Sequence, residues 1–296
     1  MPELLVGTPV AREQPPALVI LGHPITQSRS PVFQSAALAH AGLAVNYERW
    51  DTPPEALDAT LARCAAGRIG GNATVPLKEL VFARCARVSP VAAQAGAVNT
   101  FWFEQGELIG HNTDVDGALA TIDALCPDGL TGPVVLLGAG GSAAAVLVAL
   151  TQRTPAAVTI VARTPDRAHA LLERTGVAAP LPAHVVAPHE TRAATALREA
   201  ALVINATPLG MRDDTMPVPV DALGQHAAVY DLVYRDGGTA WMRAARTRGL
   251  RAEDGTRMLV EQGAAAFRCW FGIEPSREVM WRALGHDGPF ATNGAH

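Results

Sequence analysis

Of the 24 cationic lysine and arginine side chains in this sequence, only Lys78 is a lysine. A chain that writes arginine wherever a positive charge is enough keeps lysine where arginine does not serve. The two differ in acid–base chemistry: an ammonium gives up its proton when its surroundings lower its pKa, and a guanidinium in practice does not. Position 78 therefore points to proton transfer. Three polar blocks extend the picture: Asn72-Ala73-Thr74-Val75-Pro76-Leu77-Lys78, Gly96-Ala97-Val98-Asn99-Thr100 and Asn112-Thr113-Asp114. Gathered in one place, they offer amides and hydroxyls to a polyol, with Lys78 and Asp114 to move a proton. The alternative is a structural Lys–Asp salt bridge, for which arginine would serve as well.

Ser28-Arg29-Ser30-Pro31 sets two hydroxyls at i and i+2. In an extended segment both face one side. Ser30 is also expected to cap a helix opening at Pro31, where free N–H groups favour an anion. A carboxylate pocket and a plain serine cap are both compatible with these four residues.

Gly138-Ala139-Gly140-Gly141-Ser142-Ala143 follows the apolar VVLL and opens AAAVLVAL. It fits G-x-G-x-x-G/A, in which the glycines let the backbone approach a pyrophosphate at a helix N-terminus. An ordinary strand–helix turn is the alternative. The end of the next strand reads Arg163-Thr164-Pro165-Asp166-Arg167. An NAD site would place a carboxylate there for the ribose 2′-hydroxyl. Two arginines and a hydroxyl suit a 2′-phosphate instead, so NADP is expected over NAD, with Asp166 the one group that favours the ribose.

The elements that must position these groups read as strands alternating with helices. Strands are expected at 17–22, 45–50 and 69–75, a hairpin at 97–103 and 107–110, and helices at 31–41, 54–66, 77–86 and 113–125. After the break at Pro127-Asp128-Gly129 the alternation is regular. Strands 134–137, 158–161, 202–205 and 228–233 are interleaved with helices 142–150, 165–174, 190–200 and 239–248. A short strand is expected within 180–188 and a surface loop over 208–219. Gly255 is expected to end that block, before helices 257–271 and 275–284. This α/β alternation implies parallel sheets joined by right-handed crossovers.

Composition bounds the rest. The 296 residues are 49% hydrophobic and 18% charged, which excludes a disordered chain. Mean hydropathy is +0.14. With aromatics at 5%, the core is expected to be mostly Ala, Val and Leu. A net charge of −4 gives no support for a nucleic-acid or acidic-membrane partner. Cys64, Cys85, Cys126 and Cys269 form no CxxC pair, so no metal site is expected, and buried free thiols in a reducing compartment are. No secretory signal is read in 1–17, no apolar run reaches a membrane span, and the tail 287–296 is expected to fray.

In order along nearly the whole chain, GHPITQSRSP, GNATVPLKE, GAVNT, NTD, LLGAGG, ART, NATPLGM, YDLVY and DGTRMLVEQGAAAF resemble the shikimate dehydrogenase family. The resemblance implies reversible reduction of 3-dehydroshikimate to shikimate with NADPH in the aromatic amino-acid pathway, in the cytoplasm. It implies an N-terminal α/β substrate domain, 1–116 completed by 257–296, and a Rossmann-type NADP domain, 117–256. The last helices would return to the first domain. Ser28 and Ser30, with Tyr234, would bind the carboxylate. Asn72, Thr74, Asn99 and Gln262 would hold ring hydroxyls or position the catalytic pair, Lys78 and Asp114. Gly138, Ala139, Gly140, Gly141, Ser142, Arg163, Thr164 and Arg167 would bind NADP. Asn205, Ala206, Thr207 and Pro208, with Leu232, Gly255 and Met258, would lie on the nicotinamide side. Family members occur as monomers and dimers, so a homodimer is allowed.

This chain departs from the family pattern at Gln27, Gln34, Ser35, Ala73, Val115 and Ala162, none of which removes a catalytic group. A paralogue taking quinate or an aminoshikimate would share the same framework. Two other readings stand beside the first: a quinate/shikimate dehydrogenase preferring NAD, and a catalytically silent NADP-binding sensor.

Overall fold

The structure, a computed structural model, describes residues 3–5, 10, 11 and 13–290. Part of the segment read for a secretory signal, and the expected frayed tail from 291 onward, lie outside the described residues. The chain divides into two compact units, 1–113 with 259–296 and 114–258.

The first unit carries seven strands: β1 (Glu3–Leu4), β2 (Ala17–Gly22), β3 (Asn46–Asp51), β4 (Gly70–Ala73), β5 (Arg87–Val88), β6 (Thr100–Glu104) and β7 (Glu107–His111). Their order is β1-β5-β7-β6-β4-β2-β3. Strand β2 shows why its sequence is an unbroken apolar run. Leu18 and Ile20 enter one buried cluster, with Phe33, Tyr47 and Trp270; Val19 and Leu21 enter another, with Leu57, Leu77 and Phe101. A strand covered on both faces has no polar side to alternate with. All pairings are parallel except those of β6, which runs antiparallel to β4 and β7. The β6–β7 turn is Gln105-Gly106, both at positive φ, as a two-residue hairpin requires.

Helices α1 (Ser30–His40), α2 (Leu57–Gly67), α3 (Lys78–Phe82) and α4 (Pro90–Ala95) complete the N-terminal part. Three expectations are corrected here. Ser30 is the first residue of α1 and not its cap: Arg29 is already right-handed helical and its carbonyl accepts from Val32 N. For the same reason 28–30 is not extended. Helix α3 stops at Phe82, because Ala86 N is drawn to the Leu108 carbonyl and 87–88 joins the sheet beside β7. Helix α4 was not anticipated. Its Ser89 cap accepts from Ala92 N, Pro90 opens it and Gly96 closes it in the left-handed region.

The second unit holds β8 (Val134–Leu137), β9 (Val158–Val161), β10 (Ala183–Val186), β11 (Leu202–Asn205), β12 (Ala228–Asp231) and β13 (Ala252–Glu253), all parallel, in the order β10-β9-β8-β11-β12-β13. The sheet reverses direction of growth at β8, between β9 and β11, which is the doubly wound dinucleotide pattern. Its helices are α5 (Asp114–Leu125), α6 (Gly141–Thr151), α7 (Pro165–Thr175), α8 (Thr191–Glu199) and α9 (Ala240–Thr247). Every residue of α6 from Ala143 to Leu150 is buried, with α5 packed on it, so the helix has no polar stripe.

Helix α10 (Gly255–Phe271) contains the boundary between the units, and α11 (Arg277–Ala283) follows in the first unit. Gly255 therefore opens a helix and does not end a block. Gly263 lets α1 come close: a Cβ there would stand 2.3 Å from Phe33 Cε2. The few aromatics are concentrated where the layers meet, with Phe33, Trp102, Phe267 and Trp270 fully buried in one cluster.

Candidate active site

In the first unit, the site residues are held by one hydrogen-bonded amide network. Asn72, on β4, donates through Nδ2 to the Asn99 carbonyl (2.9 Å) and to Thr100 Oγ1 (3.0 Å). Its Oδ1 accepts from the Tyr47 hydroxyl at 2.5 Å. Asn99 Oδ1 accepts from Thr113 N (2.7 Å) and from the hydroxyls of Thr113 and Thr100, both at 3.1 Å. Asn99 Nδ2 reaches Gln262 Oε1 at 3.4 Å, and Gln262 Nε2 is held by the Leu259 carbonyl at 2.7 Å. Asn72, Asn99 and Gln262 are thus brought together, with Tyr47, Thr100 and Thr113 as additional members.

Thr74 and Lys78 lie on the turn that continues β4. Thr74 N donates to the Leu21 carbonyl at 2.8 Å, and the Thr74 carbonyl accepts from Leu77 N at 2.7 Å. Lys78 is half-buried at the start of α3, and its carbonyl accepts from Val98 N at 3.0 Å. That bond ties the only lysine to the loop that carries Asn99. Ser28 Oγ accepts from Ser30 N at 3.4 Å, and Arg49 forks Nε and Nη2 onto the Ser28 carbonyl at 2.9 and 2.6 Å. Ser30 is buried; burial pushes the Tyr47 phenol above the usual tyrosine range, and Ser30 opposes the rise. Arg49 and Tyr47 both stand on β3 and were missed from the sequence. The available signal was that Tyr47 is one of only three tyrosines in the chain.

The remaining site residues belong to the second unit. Asp114 is buried at the first turn of α5, where a carboxylate suits the helix dipole. Gly138 has φ +99°, and a Cβ there would meet Thr207 Cγ2 at 2.8 Å and the Ala206 carbonyl at 3.3 Å. Glycine is therefore required on two counts, and residues 206–207 lie against the phosphate-loop turn. A Cβ on Gly140 or Gly141 would meet no protein atom within 4 Å, so the start of α6 presents bare backbone to open space. That is the cradle a pyrophosphate needs. Arg163, Thr164 and Arg167 are exposed around the start of α7, and among the described residues neither arginine enters an ion pair. Thr164 occupies the cap position without using its hydroxyl there. The residues present fit NADP. Leu232 N donates to the Asn205 carbonyl at 2.9 Å, and a Cβ on Gly255 would stand 2.2 Å from the Leu232 carbonyl and 3.2 Å from Tyr234 Cδ1. Leu232, Tyr234 and Gly255 are so brought together, with Met258 buried one helical turn on.

A buried acid absent from the sequence reading organises this region. Asp231 Oδ1 accepts from Asn205 Nδ2 (2.8 Å) and Val233 N (3.1 Å), and Oδ2 from Thr239 Oγ1 (2.8 Å). Asn205 Oδ1 in turn accepts from Thr207 N at 3.0 Å and Thr207 Oγ1 at 2.6 Å. Asp231 thereby fixes the loop that lies against Gly138. An acid closing the apolar strand AAVYD was its sequence signal. Burial raises its carboxyl above the usual carboxylate range, and the hydrogen bonds oppose the rise. A raised folded-state value means that its contribution to stability is full below the unfolded pKa and is lost as pH rises through the folded one. D231N removes that titration. Its deficit against wild type in denaturant unfolding is expected to be larger near pH 4 than at pH 7; a deficit that grows with pH would contradict this placement.

Cys64, Cys85, Cys126 and Cys269 are free, the first two with thiols pushed up to about 12 by burial; Cys126 is half-buried rather than buried. Among the described residues no cluster of His, Cys, Asp and Glu could hold a metal ion, and no helix is long and apolar enough to cross a membrane.

Comparison with known proteins follows the same lines. Residues 20–101 match the shikimate dehydrogenase substrate binding domain, and residues 255–284 the shikimate 5′-dehydrogenase C-terminal domain. The shikimate dehydrogenase (NADP(+)) of Symbiobacterium thermophilum is 42% identical over 268 residues, covering 89% of this chain and 91% of that protein. The crystal structure of shikimate 5-dehydrogenase from Thermus thermophilus in complex with NADP(H) and shikimate is similar with TM-score 0.79 and 40% identity, over 91% of this chain and 98% of that one. Quinate dehydrogenase from Corynebacterium glutamicum in complex with NAD gives TM-score 0.82 and 31% identity, over 90% and 98%. With relatives this similar over nine-tenths of its length, the chain belongs to the shikimate dehydrogenase family.

Proposed function

We propose that this protein reduces 3-dehydroshikimate to shikimate, reversibly and with NADPH, in the pathway to the aromatic amino acids. The observation that carries the reading is the placement of the only lysine. It opens a helix on the turn after Asn72 and Thr74 and is tied through Val98 to the loop of Asn99. An amine beside a set of amides and hydroxyls is what reduction of a polyol ketone asks for.

Bound NADPH supplies a hydride to the ketone carbon. Negative charge then grows on the ketone oxygen, and the Lys78 ammonium stabilises it and delivers the proton. Asp114 orients that amine and shares the hydrogen bonds of the resulting hydroxyl. Ser28, Ser30 and Tyr234 bind the ring carboxylate. Thr74, Asn99 and Gln262 bind or position the ring hydroxyls. Asn72 has both amide hydrogens committed within the fold, so toward a ring hydroxyl it acts only as an acceptor. Gly138 to Ser142 cradle the pyrophosphate, and Arg163, Thr164 and Arg167 hold the 2′-phosphate. Asn205 to Pro208, Leu232, Gly255 and Met258 form the nicotinamide side. The free thiols fit a reducing compartment, and we place the activity in the cytoplasm.

The likeness to a quinate dehydrogenase keeps quinate as the second substrate to try. The test is product analysis with purified protein, NADPH and either 3-dehydroshikimate or 3-dehydroquinate. Shikimate formed at a rate well above quinate is the expected result. Quinate as the main product would move the chain to the other branch, and neither product from folded protein would favour a silent sensor.

A further inference from the structure

The turn that carries Ser28 is gripped at both ends by one strand. Strand β3 lies at the edge of its sheet beside β2, with Tyr47 opposite Leu18, Arg49 opposite Ile20 and Asp51 opposite Gly22. Side chains two apart on a strand face the same way. Leu18, Ile20 and Tyr47 enter the buried cluster that includes Phe33 and Leu38 of α1, so Arg49 and Asp51 stand on that face, further along. There the chain leaving β2 turns through Ile25-Thr26-Gln27-Ser28, closed by Ser28 N donating to the Ile25 carbonyl at 3.0 Å. That bond uses the inner groups of the turn. The outer groups are Ile25 N and the Ser28 carbonyl, and β3 takes both. Asp51 Oδ1 accepts from Ile25 N at 3.2 Å, and Arg49 donates from Nε and Nη2 to the Ser28 carbonyl at 2.9 and 2.6 Å. A carboxylate answers the N–H and a guanidinium answers the carbonyl; with the two exchanged, neither could bond. Ile25 is buried in the same cluster, and just past the turn Arg29 Nη2 donates to the Leu284 carbonyl at 2.9 Å.

We infer that Arg49, bracketing this turn together with Asp51, is a positioning residue of the carboxylate subsite and sets its preference for an anionic ring substituent over a neutral one. This rests on the reading of Ser28 as a carboxylate contact. Thr26 and Gln27 are exposed and Ser28 is half-buried, so packing fixes the turn only through Ile25. The bracket fixes the rest. With its carbonyl forked by Arg49, the peptide group after Ser28 cannot rotate freely, and Ser28 Oγ keeps its place 3.4 Å from Ser30 N. Arginine suits this task because its rigid plane directs two N–H groups onto one oxygen, which the point charge of a lysine does not. The guanidinium also brings a positive charge within one hydrogen bond of Ser28. A carboxylate held by that serine meets the field of a cation, and a neutral ester gains nothing from it.

The experiment compares full-length wild type, S28A and R49M with two ligands, shikimate and its methyl ester, which keeps the ring and its hydroxyls and lacks the charge. For each protein the KM of shikimate, the inhibition constant of the ester against shikimate, kcat and the KM of NADP are measured. Position 49 is exposed and methionine keeps an unbranched apolar stem, so the variant should fold, as circular dichroism would report. R49M is expected to raise the shikimate KM about tenfold, while the inhibition constant of the ester, kcat and the NADP KM each change less than about threefold. A merely structural role would weaken acid and ester alike. An unchanged shikimate KM in R49M, or equal loss for acid and ester, would overturn the proposal. The S28A variant separates the proposal from the reading beneath it. Selective loss of the acid in S28A with none in R49M ends the role of Arg49 and keeps the subsite. No selective loss in S28A, or a wild type that does not turn over shikimate, removes the carboxylate assignment of Ser28 and the proposal with it.

Discussion

Lys78→Arg is expected to lower kcat for shikimate oxidation by about three orders of magnitude, within the usual range for loss of a general acid–base group. The substitution keeps the positive charge, and lysine and arginine have nearly equal helix propensity. The side chain is half-buried at the first position of α3, and the bond that fixes this turn, from Val98 N to the Lys78 carbonyl, is made by the backbone. Folding should therefore survive, as circular dichroism and the thermal midpoint would report. What changes is acidity: a guanidinium stabilises charge on the ketone oxygen yet does not donate its proton at neutral pH. Turnover retained in folded K78R would show that charge alone suffices and would remove Lys78 as the proton donor. The unusual composition supplies a second handle. With no other lysine in the sequence, the only other amine expected is the chain's N-terminus, so an amine-directed acylating reagent should inactivate wild-type protein with the stoichiometry of one side chain.

The second large effect is expected at the cofactor. Arg163→Ala together with Arg167→Ala should raise the KM for NADP about a hundredfold and leave the KM for NAD within about threefold. A hydrogen bond to a charged group contributes about 1.5–3 kcal/mol, and two such groups acting on one phosphate would give more. Both arginines are exposed, so solvent screening brings the expectation to the lower end. Neither guanidinium enters an ion pair among the described residues, so the change removes no salt bridge from the fold. Equal loss with NADP and NAD would point to damage around α7, and no loss with either would place the 2′-phosphate elsewhere.

The parts of this molecule most legible in the sequence are those set by local pattern. Strands β8, β9 and β11 stand where the apolar runs put them, because strands inside a parallel sheet are covered on both faces. The Gly138 turn was legible because its context, strand before and helix after, is itself local. Helix α6 was legible from length and flanks, not from periodicity, since it is apolar on every side. Ser30 was misread because a serine before Pro31 looks like a cap, and nothing local reveals that Arg29 has already entered the helix. Helix α4 was overlooked, although Ser89-Pro90 and Gly96 mark both its ends.

The site divides in the same way. Residue types with distinctive chemistry, such as the lone lysine and the arginine pair, announce themselves. Tyr47 and Asp231 do not, because their roles exist only through partners far along the chain. Tyr47 meets Asn72, 25 residues away, and Asp231 meets Asn205, 26 residues away. No spacing rule in sequence encodes such a pairing; the registers of β3 and β4 on either side of β2, and of β11 with β12, create it.

The most direct test is the initial rate of shikimate oxidation by purified wild-type protein, followed as reduced nicotinamide, with NADP and NAD run in parallel. Strong turnover with NADP and little with NAD is the predicted result. Strong turnover with NAD would contradict the assignment of Arg163 and Arg167 to a 2′-phosphate while keeping the enzyme, and no turnover with either from folded protein would contradict the function itself.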